Sequence, residues 1–101
     1  MSFNDISKIE GNLNSKGMKI AIVITRWNEF IAERLLEGAI DCILRHGGDP
    51  KDIVKIYCPG SFEMPTVIKK LATSGKYDGI IALGAVIRGA TTHYDIVSNE
   101  V

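Results

Sequence analysis

Between Gly84 and Asp95 the sequence runs Gly-Ala-Val-Ile-Arg-Gly-Ala-Thr-Thr-His-Tyr-Asp, directly after the apolar run Gly79 to Leu83. That order reads as strand, loop and helix start. It collects a fixed cation (Arg88), two small residues (Gly89, Ala90), two hydroxyls (Thr91, Thr92) and a histidine (His93) at one strand end. Free N–H groups at a helix N-terminus favour anions, and small residues let backbone approach a ligand. Arg88 can pair with phosphate or carboxylate, or serve as a surface ion-pair residue. His93 can move protons near neutral pH, or sit in a helix first turn with its hydrogen bonds satisfied. An anion site beside a proton carrier suggests chemistry on a phosphorylated or carboxylated small molecule.

Two further loops carry candidate groups. Trp27-Asn28 and Gly60-Ser61-Phe62-Glu63 each follow an apolar run. Trp27 and Phe62 fall outside the apolar stripes, so they either sandwich a planar ring or cover the core ends or an interface. Glu63 could bind the N–H edge of a polar ring while Ser61 and backbone amides bind other edges. It could equally be an acidic residue favoured by a helix dipole. His46, at a helix C-terminus, is explained by the dipole.

Several function classes lack their signals. The sequence contains no G-x-x-x-x-G-K-[ST] loop, no G-x-G-x-x-G after a strand and no G-x-S-x-G elbow. His93 and Asp95 alone do not make a metal ligand set. Twelve Lys and Arg balance twelve Asp and Glu with no basic stretch, which argues against nucleic acid. No run approaches the ~20 apolar residues of a membrane span. The polar start Met1-Ser2-Phe3-Asn4-Asp5 lacks the regions of a signal peptide, so a cytoplasmic location is expected. Cys42 and Cys58 are isolated and read as reduced thiols in the core.

These groups need a frame, and 101 residues suffice for one domain. Residues 1–17 form a polar arm with scattered Ile6, Ile9 and Leu13. Met18 to Ile24 is nearly continuous in apolar, β-branched character, which suits a central strand covered on both faces. Thr25 to Glu29 is a loop. Apolar spacing at Ile31, Leu35, Ala39, Cys42 and Ile43 predicts a helix that His46-Gly47-Gly48 stops. Ile53 to Cys58 is a second strand. Pro65 suits a first helical turn, and Val67, Ile68, Leu71 and Ala72 form the buried stripe of the next helix. Gly79 to Leu83 is a third strand, and a third helix starts near Thr92. The alternation implies a parallel sheet with helices on both faces, whose loops meet at the carboxyl ends of the strands. Three strands are a narrow sheet, so a missing edge is expected to lie elsewhere.

Together the loops resemble the lumazine synthase family of riboflavin biosynthesis. Ile9-Glu10-Gly11-Asn12-Leu13 is similar to the family's arm, Arg26-Trp27-Asn28 to its first loop, and Leu36-Glu37-Gly38-Ala39 to part of its first helix. Pro59-Gly60-Ser61-Phe62-Glu63 resembles its second loop, and Gly84 to Asp95 its most distinctive motif. The resemblance implies a flavodoxin-like three-layer α/β/α parallel sheet spanning residues 18–101, incomplete at its C-terminal edge. The family's C-terminal third has no counterpart here; it carries a phosphate-binding arginine and an aromatic that a neighbouring subunit contributes.

The implied reaction condenses 5-amino-6-(D-ribitylamino)uracil with 3,4-dihydroxy-2-butanone 4-phosphate, without cofactor or metal. The resemblance assigns His93 as the catalytic proton carrier. Trp27, Asn28, Ser61, Phe62, Glu63, Ala85, Val86, Ile87, Ala90 and Thr91 are its expected substrate-binding residues, with Arg88 as a possible addition. It further implies a homopentamer or a shell of twelve pentamers, possible association with riboflavin synthase, and no nucleic-acid or membrane partner. A non-catalytic module binding a flavin or ribityl compound, and a shell-forming structural subunit, are the competing readings.

Overall fold

The computed structural model describes residues 11–86. Strand β1 (Ile20–Thr25) is followed by helix α1 (Glu29–Arg45), strand β2 (Ile53–Cys58), helix α2 (Met64–Thr73) and strand β3 (Gly79–Leu83). Short 3-10 turns, Pro50–Asp52 and Ser61–Glu63, lead into β2 and α2. β1 pairs in parallel with both other strands, giving the order β2-β1-β3. Ile20 faces Ile53 on one side and Gly79 on the other. This is the flavodoxin-like α/β arrangement, and its strand order reverses between β1 and β3.

β1 is central because its side chains are apolar on both faces, and every one of its residues is buried. Alternation along the strand then divides the core. Ile20, Ile22 and Ile24 cluster with Ala32, Leu36 and Ile43 of α1. Val23 clusters with Cys58 and Met64, against which Val67, Ile68 and Leu71 of α2 pack. Successive β1 residues therefore serve opposite helices, and this makes the three layers. Full burial of each large aliphatic side chain contributes about 1.5–3 kcal/mol.

Four sequence expectations are corrected. β1 begins at Ile20 rather than Met18 and includes Thr25, which still pairs with Cys58. Ahead of β1, the Lys19 N–H donates to Asp78 Oδ2 at 2.8 Å and its carbonyl accepts from the Asp78 N–H at 2.7 Å. The buried stripe of α1 is Ala32, Leu36 and Ile43, flanked by Ala39 and Ile40, whereas Ile31 and Leu35 are 43% and 41% exposed. The helix bears two adjacent apolar stripes, and spacing alone does not say which faces the sheet; the small Ala32 lets the helix approach. Cys42, on the outer side of α1, is exposed, whereas Cys58 is buried. Ala72 is exposed too, so α2 packs through Val67, Ile68 and Leu71.

α1 stops where Gly47 adopts φ 93°, a left-handed conformation that glycine takes without steric cost. The Gly47 N–H donates to the Leu44 carbonyl and the Gly48 N–H to the Ile43 carbonyl, a complete Schellman termination. Ser15 adds a second closure. Its Oγ donates to the Ile43 carbonyl at 2.7 Å, and its N–H donates to the His46 carbonyl at 2.7 Å. His46 Nδ1 lies 2.7 Å from the Cys42 carbonyl, as its helix-end position implies. The first ten residues and the third helix expected near Thr92 lie outside the described residues.

Candidate active site

The carboxyl ends of the strands carry the candidate site. Thr25 closes β1 with a buried side chain whose Oγ1 donates to the Trp27 carbonyl at 3.3 Å. The Arg26 N–H donates to the Cys58 carbonyl at 3.1 Å and ties this loop to the end of β2. These bonds turn the chain so that Trp27 stands out from the sheet, 69% exposed. Asn28 follows with φ 54°, the positive-φ residue other than glycine among those described. Its carbonyl accepts the Ala32 N–H at 3.0 Å and starts α1. Its side chain does not cap the helix; Nδ2 instead donates to the Ala85 carbonyl at 3.0 Å.

The second loop folds against the first at Gly60. A Cβ there would lie 3.0 Å from Trp27 Cδ1, 3.2 Å from Trp27 Nε1 and 3.0 Å from Glu63 Oε2. The indole edge and the carboxylate thus both rest on a glycine that any side chain would crowd. The Cys58 thiol donates to the Gly60 carbonyl at 3.3 Å and holds this backbone from beneath. Burial, with Glu63 nearby as a second cause, pushes the Cys58 thiol up. It therefore remains a protonated donor at neutral pH and is no nucleophile.

Gly84 makes the third junction. A Cβ there would stand 3.1 Å from Thr25 Cγ2 and 3.2 Å from Ser61 Oγ. A side chain there would crowd both other loops, so glycine lets the end of β3 lie close against them. The structure brings Trp27, Asn28, Ser61, Glu63 and Ala85 to one end of the sheet. Phe62, 52% exposed, shares the Ser61–Glu63 turn but takes no part in these contacts. Val86 follows Ala85 directly, and Ile87, Arg88, Ala90, Thr91 and His93 lie outside the described residues. An exposed π-face, a carboxylate and a hydroxyl at the carboxyl ends of the strands suit a polar planar ring.

The sequence model of the family described as 6,7-dimethyl-8-ribityllumazine synthase matches residues 17–101. The chain belongs to that family. It is 63% identical over 95 residues to the 6,7-dimethyl-8-ribityllumazine synthase of Nitratidesulfovibrio vulgaris, strain Hildenborough. Identity to the enzymes so named from Chlorobaculum tepidum and Chlorobium chlorochromatii is 53% and 54%. Each alignment covers 94% of this chain, and the chain spans 61% of the length of these relatives.

The sequence places Gly60 and Gly84 in candidate loops without showing that the loops meet at them, and gives Thr25 no role. The available signal was a Gly directly after each outer strand or its Pro (Cys58-Pro59-Gly60 and Leu83-Gly84), where backbones converge. A second cluster, with no motif to mark it in the sequence, lies on the flank of β2. The Tyr57 hydroxyl donates to Glu33 Oε1 at 3.0 Å, and Arg26 stacks over the Tyr57 ring at 5.8 Å. The hydrogen bond to Glu33 raises the Tyr57 phenol above its ordinary value. Among the described residues no group of three or more His, Cys, Asp or Glu could hold a metal ion, and no helix is long and apolar enough to cross a membrane.

Proposed function

We propose that this chain forms 6,7-dimethyl-8-ribityllumazine from 5-amino-6-(D-ribitylamino)uracil and 3,4-dihydroxy-2-butanone 4-phosphate. The observation that carries the reading is the meeting of the Trp27 indole and the Glu63 carboxylate on Gly60. Trp27 stacks on the pyrimidine. Glu63 accepts from its N–H edge, while Ser61 and Phe62 hold the ring and the ribityl chain. The backbone of Ala85, Val86 and Ile87 faces the heterocycle edge. Ala90 and Thr91 bind the phosphate through amides and a hydroxyl, with Arg88 as an additional cation. His93 carries the protons.

In the reaction the pyrimidine amine attacks the ketone carbonyl, and water leaves to give an imine. Inorganic phosphate is then eliminated. The ribityl-bearing amine closes the ring on the resulting carbonyl with loss of a second water. No electrons are exchanged with an outside partner. Holding two reactants together contributes up to roughly 7–11 kcal/mol, against 10²–10⁴-fold for general acid–base help. Most of the rate in this scheme comes from orientation.

The proposed setting is a cytoplasmic homopentamer, alone or as part of a shell of twelve pentamers, with riboflavin synthase as an associate. Residues 1–17 act as an arm and residues 18–101 as the catalytic domain. The test is lumazine formation from both substrates on folded protein, followed by absorbance against the uncatalysed rate. A saturable acceleration is expected. Its absence, with the pyrimidine still bound, would replace the proposal by a non-catalytic ribityl-binding role; its absence without binding would leave a structural one.

A further inference from the structure

Asn28 combines two features that local structure does not require together. Its backbone is left-handed, a conformation that Asn tolerates better than most residues. Its position at the start of α1 is one where an Asn side chain commonly caps the helix, yet no such bond is made. The amide reaches instead across 57 positions of sequence to the carbonyl of Ala85. Trp27 precedes Asn28, and Ala85 is the second residue beyond β3. One side chain therefore joins the aromatic platform to the first residues of the third loop. The packing of Gly84 against Thr25 and Ser61 fixes the strand end from the other side.

We infer that Asn28 is a positioning residue: its amide clamps the end of β3 to the β1–α1 loop and so sets where the backbone of Ala85 and Val86 stands relative to the ring that stacks on Trp27. This deepens the proposed reaction and rests on it for its kinetic consequence. The left-handed backbone serves the clamp by aiming the side chain along the sheet end, away from the helix. Asn28 then acts on turnover through Ala85 and not by holding the pyrimidine.

Two variants separate the parts. Asn28→Gly keeps the left-handed backbone and removes the amide. Asn28→Asp keeps the shape but sets a carboxylate, which cannot donate, against a carbonyl. Both are made in the full chain. The carbonyl-carbon resonance of Ala85 and the exchange rate of the Val86 amide report the clamp without any turnover. Thermal denaturation, pyrimidine affinity and kcat are measured alongside. Folded variants are expected, with a shifted Ala85 resonance, faster Val86 exchange, little change in pyrimidine affinity and kcat lowered by about 10–100-fold. An unmoved Ala85 resonance in both variants overturns the clamp whatever the activity. Loss of pyrimidine affinity at constant kcat makes Asn28 a binding residue and overturns the positioning role. A parent chain that forms no lumazine refutes the proposed reaction and with it the kinetic half of the inference, while the two resonances still decide the clamp.

Discussion

Replacing Gly60 by Ala tests whether the Trp27 platform is set by the second loop. The backbone at Gly60 is extended (φ −160°, ψ 173°), so alanine fits it without strain. Loss of glycine's unfolded-state freedom even contributes about 0.4–1 kcal/mol of stability at a compatible position. The side chain itself is the problem. The new methyl would stand 3.0 Å from Trp27 Cδ1 and 3.0 Å from Glu63 Oε2, whereas carbon atoms pack at about 3.5–4.0 Å. One or both groups must retreat by a few tenths of an ångström. Trp27 is 69% exposed and free to swing, so this relief costs the fold little. It does displace the surface on which, in the proposed reaction, the pyrimidine stacks, and a 1 Å misplacement can cost about 10²-fold in rate. We expect Gly60→Ala to melt close to the parent while losing about 2–10-fold in catalytic efficiency, the share of that cost a smaller shift implies. Trp27 is the sole tryptophan of the chain, so its emission reports the displacement directly, and its quenching by added pyrimidine gives the affinity. Parent-like emission, quenching and turnover in Gly60→Ala would refute the argument that this contact sets the platform.

Further outcomes follow from the same geometry. Gly84→Ala should cost about 1–3 kcal/mol in chemical denaturation, because the methyl meets Thr25 Cγ2 at 3.1 Å and that side chain is buried with nowhere to move. A thiol reagent should modify Cys42 in the native protein and Cys58 only after denaturation, as resolved by peptide mapping. Burial raises the folded-state pKa of Cys58, so its stabilising contribution is complete below the unfolded-state value and is lost as pH rises through the folded one. Denaturation at increasing alkaline pH should therefore weaken the parent more than Cys58→Ala, relative to each at neutral pH. His93→Ala should slow lumazine formation by about 10²–10⁴-fold without abolishing it; turnover at the parent rate would remove His93 from its proposed role.

The sheet was legible because its strands are short, β-branched and bounded by Gly, Pro or a polar loop. β2 and β3 fall on Ile53–Cys58 and Gly79–Leu83 as read from sequence. Burial on α1 was not legible, because Ile31 and Leu35 continue one apolar stripe and Ala32 and Leu36 another; the sheet, absent from local periodicity, selects between them. Cys42 and Ala72 failed for the same reason, each lying on a helical face that their residue type does not reveal. Trp27, Ser61 and Glu63 could be picked out by type and loop context. What joins them could not, since Gly60, Gly84 and the bond from Asn28 to Ala85 depend on contacts between segments far apart in sequence.

The fastening of the chain before β1 divides the molecule's tasks by pole. Ser15 closes the end of α1, and Lys19 joins Asp78 ahead of β3, both at the amino ends of the strands. The indole, the carboxylate and the Asn28 clamp occupy the other extremity. Strength and chemistry can then be adjusted independently: substitutions at Ser15 or Asp78 change how firmly α1 and the sheet are held, without altering the proposed site at the far end. A dye or tether attached at exposed Leu13 would thus ride on the anchoring pole and report folding while leaving the reacting end unencumbered.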